Sequence, residues 1–215
     1  VMGSFNVFHR FFCPTRDGFE MVSWAVDDGT YRRQKLALKE DIHLRIASAK
    51  ILLVGVGGIG WKIAIDLAMM GVGRIDILDP DTIEQSNLSR IPLAKSSVGF
   101  SKVEELRRVL EAIRPNLVVG AKTIKIQQLD PERFTAYDVI IVATDNLQSR
   151  LYCNDVCLEQ RIPCIQIGAS LENGMKSISC RTVLAGFTPC YECWKTFKAE
   201  ELSRDFYTEE QRQLI

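Results

Sequence analysis

Four glycines crowd the turn Gly55-Val56-Gly57-Gly58-Ile59-Gly60, and polar side chains follow at Asp79, Asp81, Glu84, Asn87, Arg90, Lys102 and Asp145. Glycine lets a backbone approach phosphate oxygens closely. A helix starting in such a turn offers unpaired N–H donors and the positive end of its dipole. The spacing of Gly55, Gly57 and Gly60 meets the G-x-G-x-x-G pattern of nucleotide-binding turns. Asp79 falls roughly 20 residues on, where an acid that holds ribose hydroxyls belongs. That turn alone suits a nicotinamide-dependent oxidoreductase as well as an ATP user. The downstream residues separate the two. Hydride transfer asks for a dry slot, not two cations and several acids beside the phosphates. Breaking the α–β bond of ATP asks for cations at the developing pyrophosphate, such as Arg90 and Lys102, and for a carboxylate that holds Mg²⁺, such as Asp145.

The elements that must position these groups are legible from apolar runs. Residues 51–54 lead into the glycine turn, a helix-compatible segment follows, and residues 75–78 form a second strand ending at Asp79. Residues 139–142 are a continuous apolar run, as in a strand buried on both faces, and Asp145-Asn146 lies just beyond its carboxyl end. The pattern predicts a Rossmann-like α/β fold with a mostly parallel sheet, whose ligands sit at the carboxyl ends of the strands. Residues 163–168 add a strand, and residues 175–185 alternate loosely, as an antiparallel extension would.

Between these runs, residues 31–49 read as one amphipathic helix with Leu38, Ile42 and Ile46 on its buried face. Residues 81–101 are a long polar connection, a length that usually carries function. Ser101 and Glu104 make a capping-box pattern ahead of a helix that buries Val103, Leu106, Leu110 and Ile113. Residues 117–119 and 123–126 read as short strands, Asp130-Pro131 starts a brief helix, and Asp145-Asn146 caps the helix carrying Arg150. Ahead of all this, residues 1–30 form an appendage with a hairpin signal at Asp17-Gly18.

Composition narrows the function classes. The 215 residues carry 27 basic and 27 acidic side chains, so no net field favours nucleic acid or an anionic membrane. No apolar run reaches the length of a membrane span. Seven cysteines, scattered apart from one Cys-x-x-Cys, suit a reducing compartment and predict a cytoplasmic protein.

Taken together, the motifs resemble the adenylation domain of the ubiquitin-activating, E1-like superfamily, alongside the molybdopterin and thiamine sulfur-carrier adenylyltransferases. The matching segments are Tyr31-Arg32-Arg33-Gln34, the glycine turn, and the run from Leu78-Asp79-Pro80-Asp81 through Ser86-Asn87-Leu88-Ser89-Arg90. Val98-Gly99-Phe100-Ser101-Lys102, Ala143-Thr144-Asp145-Asn146 with Arg150 and Asn154, and Pro189-Cys190-Tyr191-Glu192-Cys193 complete them. They fall in family order over residues 31–195, leaving 196–215 as the start of a crossover linker.

The resemblance implies roles. Gly55, Gly57, Gly58 and Gly60 would cradle ATP, with Asp79 on its ribose and Asp81 beside it. Asn87, Arg90 and Lys102 would contact the phosphates, Asp145 would hold Mg²⁺, and Arg33 would reach the γ-phosphate from the partner subunit of a homodimer. The implied reaction adenylates the C-terminal glycine of a ubiquitin-like or sulfur-carrier protein ending in Gly-Gly. A thioester on a cysteine outside this chain and a conjugating enzyme could follow. Cys190 and Cys193 match half of a zinc site that the family completes with a second Cys-x-x-Cys; that pair is expected downstream, which makes these residues a fragment. Ile91 stands where the family has glutamine.

Two other readings stay within the superfamily: adenylation of a small-molecule or tRNA carboxylate, as in tRNA dehydratases, and a noncatalytic scaffold subunit of a heterodimeric activator. Arg150 reads equally as a surface ion-pairing residue or a functional one. Cys153, Cys157, Cys164 and Cys180 read as core thiols.

Overall fold

The computed structural model describes residues 10–15, 18–23, 29–172 and 175–193, with the side chains of 10–15, 18–23, 170–172 and 175–177 outside that description. The linker expected over 196–215 also lies outside the described residues. The hairpin expected near Asp17-Gly18 is present as β1 (Arg10–Thr15) and β2 (Gly18–Ser23), paired antiparallel. Two helices, α1 (Arg32–Ala37) and α2 (Glu40–Ser48), precede β3 (Lys50–Val54), α3 (Gly58–Met70) and β4 (Arg74–Leu78). Then come α4 (Lys102–Ile113), β5 (Val118–Lys122), β6 (Val139–Val142), α5 (Leu147–Glu159), β7 (Cys164–Glu172) and β8 (Met175–Val183).

The main sheet has the order β5-β4-β3-β6-β7-β8, parallel throughout except for β8, which runs antiparallel to β7. Alternation along β3 divides the core in two. Ile51 and Leu53 face Trp61, Ala64 and Ala68 of α3 and Leu106 and Leu110 of α4. Leu52 and Val54 face the other way, toward Phe134 and toward Cys153, Val156 and Cys157 of α5. Each face of the strand is therefore buried against a helix, which explains the unbroken apolar runs.

From β3 the chain steps outward to β4 and β5, then returns to the other side of β3 as β6. That reversal opens a crevice at the carboxyl ends of β3 and β6, where ligands bind in open parallel sheets.

Several sequence expectations change in detail. The single helix expected over residues 31–49 is broken by extended backbone at Leu38 and Lys39, and its inward face is His43 and Ala47, while Ile42 is exposed. Ile46 does pack against the core as expected, and the end of α2 runs close to Gly73, where a side chain would stand 2.1 Å from the carbonyl oxygen of Ala47. Residues 123–126 are not a strand; edge strand β5 stops at Lys122, and a 3₁₀ turn forms at Ile126–Gln128. The Ser101 capping box does not form, because the Ser101 hydroxyl pairs with Thr123 Oγ1 at 2.9 Å. Ile113 is exposed at the end of α4. Cys180 is exposed rather than a core thiol, since β8 is an edge strand. Cys153, Cys157 and Cys164 are buried as expected.

Candidate functional site

The glycine turn is held from three sides. Gly55 adopts φ +89, a left-handed conformation, and a Cβ there would meet Thr144 Cγ2 at 2.8 Å. Gly60 has no room for a side chain, because its Cβ would stand 2.0 Å from Gly55 O. Gly57, the N-cap of α3, faces open space, and no acidic side chain occupies the first turn of that helix. An anion approaching there meets N–H groups that the helix itself leaves unpaired.

The third support comes from Asp79 at the end of β4. Its Oδ2 accepts the buried N–H of Val56 at 2.8 Å, and its Oδ1 accepts the N–H of Asp81 at 3.0 Å. Each carboxylate oxygen keeps a second lone pair for a further donor. Burial pushes the Asp79 carboxyl above its ordinary value; the Val56 and Asp81 hydrogen bonds and the nearby Lys102 charge pull it back only in part.

Asp81 in turn binds Lys102, whose Nζ lies 2.8 Å from Asp81 Oδ2. A cation on the first residue of α4 opposes the helix dipole, and this partner offsets that. The Lys102 side chain is mostly covered, whereas Asp81 is open to solvent, so the pair is readily exchanged for another anion.

Residues 85–90 bring the second cation in. Asn87 is buried; its Oδ1 accepts the N–H of Glu84 at 3.2 Å and its amide donates to Ser86 Oγ at 3.3 Å. These bonds fold the 3₁₀ turn Gln85–Ser89, with Arg90 as its C-cap. The Arg90 side chain then lies across the glycine turn, with Cδ 3.0 Å from where a Cβ on Gly58 would stand. Ile91, at the departure from the family pattern, is buried in the core, so the change leaves the turn intact.

Asp145 closes the crevice on the β6 side. The N-cap of α5 is Asn146, whose Oδ1 accepts the Ser149 N–H at 2.8 Å. Of the expected Asp145-Asn146 cap it is Asn146 that caps, and the exposed Asp145 carboxylate is not spent on the helix. Glycine turn, Asp79, Asp81, Arg90, Lys102 and Asp145 therefore gather at the carboxyl ends of β3, β4 and β6.

Arg33 stays apart. Tyr31, just before α1, packs on Gly71 at the far end of α3, and Gln34 donates to Met70 O at 2.9 Å. The 13 residues of α3 span about 20 Å between that end and the glycine turn. Cys190 and Cys193 lie in a turn fixed to α5 by Asn154 Oδ1 accepting the Tyr191 N–H at 2.7 Å. Their sulfurs are 3.3 Å apart. Burial works against the Cys190 thiolate, but hydrogen bonds from Cys193, Glu192 and Asn154 outweigh it and hold the thiol below its ordinary value. A cavity of about 610 Å³ lined by Arg161, Pro163, Leu184 and Phe187 opens at the opposite, amino end of β7 and is not part of this site.

Two residues gain weight that the sequence reading left open. Arg150 is buried rather than on the surface, and Asn154 is fully buried. The signal was present: Leu147, Arg150, Asn154 and Cys157 recur at helical spacing, which puts an arginine on the inward face of α5.

Comparison with known proteins gives the family and the fold. The model of the ThiF family matches residues 31–213. The SUMO-activating enzyme subunit uba-2 of Caenorhabditis elegans is 34% identical over 154 residues, covering 70% of this chain and 26% of that protein. The adenylyltransferase and sulfurtransferase MOCS3 of Aedes aegypti is 33% identical over 155 residues, covering 70% of this chain and 34% of its own length. The chain thus spans about a quarter to a third of these curated relatives. Among solved structures, E. coli MccB superposes with a TM-score of 0.68 at 24% identity, over 88% of this chain and 53% of that one, a likeness of fold.

Proposed function

This chain belongs to the ThiF family, and on that premise we propose that it adenylates the C-terminal glycine of a ubiquitin-like or sulfur-carrier protein at the expense of ATP. The carboxylate attacks the α-phosphorus. A new carboxyl–phosphate bond forms, the α–β bridging bond breaks, and pyrophosphate leaves with its electron pair. One observation carries the reading: Arg90 lies across Gly58 while Lys102 sits behind the exposed Asp81, so two cations flank a turn built for phosphates.

The residues share the work by position and charge rather than by covalent chemistry. Gly57 and the first turn of α3 take phosphate oxygens. Arg90 and Lys102 neutralise the leaving pyrophosphate, with Asn87 fixing the turn that presents Arg90 and adding a phosphate contact. Asp79 offers its second lone pairs to the ribose. Asp145 fits Mg²⁺, a hard cation that takes one or two carboxylates and substrate phosphates; the ion would screen the phosphate charge.

The fit to Zn²⁺ is that of a half site. Two sulfurs 3.3 Å apart on one turn would open to about 3.8 Å on a tetrahedral ion with bonds of about 2.3 Å, and among the described residues no group of three or more ligands forms. Cys190 and Cys193 would supply two thiolates, with the rest from a downstream pair. Arg33, at the end of α3 opposite the glycine turn, supports action on a second copy in a homodimer. The reading further places the adenylation domain at residues 31–195, the protein in the cytoplasm, and a conjugating enzyme after it. Among the described residues no helix is long and apolar enough to cross a membrane.

The test is ATP–pyrophosphate exchange in the presence of carrier proteins ending in Gly-Gly. Exchange that requires the carrier and disappears in Asp145→Ala is expected. Carrier-independent exchange stimulated by tRNA would point to the tRNA carboxylate reading instead, and no exchange with any carrier would point to a scaffold subunit.

A further inference from the structure

Arg150 contributes to none of the phosphate contacts proposed above, yet it is 7% exposed and lies directly beneath the loop that carries Asp145. Its Nη2 donates to the carbonyl of Thr144, the residue before Asp145, and to the carbonyl of Ile167 on β7 at 2.7 Å. The ladder between β6 and β7 ends at Val142↔Gln166. One residue further, β6 no longer pairs with β7, although the Ala143 N–H still reaches Val54 O of β3. The guanidinium bridges the two strands where their own pairing stops.

The surroundings are built around that side chain. A Cβ on Gly168 would stand 2.7 Å from Arg150 Nη2, so this strand position accepts only glycine while the guanidinium is in place. Gln166, itself buried, donates to the Arg150 carbonyl at 3.1 Å and holds the helix backbone to the same strand. Burial lowers the Arg150 pKa, and the charges of Tyr191 and Asp145 act in the opposite direction. A buried cation is a costly device for joining two carbonyls, and its cost is lessened by the acid on the loop it holds.

We propose that Arg150 is a positioning residue for the adenylation reaction: by fixing the Thr144 carbonyl against β7, it sets where the Asp145 carboxylate meets the metal-bound nucleotide. Residues that orient a metal ligand from behind commonly change metal affinity without touching the ion. The proposal rests on the reading of Asp145 as the Mg²⁺ ligand, and its test separates the two.

Affinity for ATP is measured by titration with and without Mg²⁺ in the wild type, Asp145→Asn, Arg150→Gln and the Arg150→Gln/Asp145→Asn double variant. The wild type should bind ATP more tightly with Mg²⁺, and Asp145→Asn should lose that gain. Arg150→Gln should keep the Mg²⁺-free affinity and need about 10–100-fold more Mg²⁺ for half its effect. In the Asp145→Asn background it should change nothing further. If Arg150→Gln fails to fold, Gly168→Ala, which presses on the guanidinium from the strand side, is expected to shift the Mg²⁺ requirement the same way. A folded Arg150→Gln or Gly168→Ala with a wild-type Mg²⁺ requirement, where Asp145→Asn has lost it, overturns the positioning role alone. A Mg²⁺ gain that survives Asp145→Asn overturns the metal reading, and the proposal with it.

Discussion

The buried N–H of Val56 donates to Oδ2 of Asp79 across 2.8 Å, which locks the glycine turn after β3 to the end of β4. Asp79 is therefore a structural acceptor before any ribose arrives. Replacing it by asparagine keeps the shape but turns one oxygen into an N–H donor facing another N–H. A buried donor left without a partner costs about 1–3 kcal/mol. Asp79→Asn is expected to weaken ATP binding and to lower the thermal midpoint together.

The same residue gives a pH signature. Burial raises the Asp79 carboxyl above its ordinary 3.8, so the folded protein holds that proton to higher pH than the unfolded chain does. For an acid shifted upward, the stability it contributes is fully present below 3.8 and is lost as pH rises through the folded value. The midpoint of the wild type, measured against Asp79→Asn at each pH, should move against the wild type across that window. A difference that grows in favour of the wild type would refute this account of Asp79.

Gly57 and Gly60 should separate fold from function. A methyl on Gly60 meets Gly55 O at 2.0 Å, a backbone clash, and overpacking of this kind typically costs about 1–3 kcal/mol. Several degrees of midpoint should be lost in Gly60→Ala. A methyl on Gly57 meets nothing within 4 Å, so Gly57→Ala should melt close to the wild type. On the proposed function it should nonetheless bind ATP poorly, because the methyl would stand where that reading puts the phosphates. Equal melting losses in the two variants would remove the distinction.

Lys102 and Asp81 predict a gain. The ion pair at 2.8 Å occupies the ammonium group, and with Asp81 open to solvent it contributes no more than about 1 kcal/mol. Asp81→Asn should leave stability nearly unchanged and release Lys102 to a phosphate. Isothermal titration with ATP in EDTA should then show tighter binding than the wild type. Weaker binding under those metal-free conditions would mean that Asp81 itself contacts the nucleotide.

What could be read without the structure follows from how each feature is encoded. The strands around the turn were legible because a strand covered on both faces must be apolar throughout, as residues 51–54 and 139–142 are. The split of residues 31–49 into two helices was not, since Leu38, Ile42 and Ile46 keep helical spacing straight across the extended backbone at Leu38 and Lys39. The alternation around Cys180 marks a strand without saying whether it is an edge, and β8 is one. Asn87 and Arg90 stand three residues apart in the sequence, and one 3₁₀ turn sets Arg90 against Gly58. The spacing of Leu147, Arg150, Asn154 and Cys157 marks the inward face of α5, but the carbonyl partners of Arg150 leave no trace in a sequence.

The Cys190 thiol yields the last prediction. Its thiolate is opposed by burial but favoured by hydrogen bonds from Cys193, Glu192 and Asn154, with a net pull below the ordinary thiol value. Thiolates, not thiols, react with alkylating reagents, and buried cysteines such as Cys153, Cys157 and Cys164 stay inert. Asn154 is a contributor that a substitution can remove while both cysteines are kept, and it also accepts the Tyr191 N–H that shapes the turn. In Asn154→Ala the alkylation rate of Cys190, followed by peptide mapping after iodoacetamide, should rise at higher pH than in the wild type. The opposing effect of burial remains while a stabilising donor is gone, so the sign is fixed. A profile unmoved by Asn154→Ala would show that the Cys193 and Glu192 donors alone hold the thiolate.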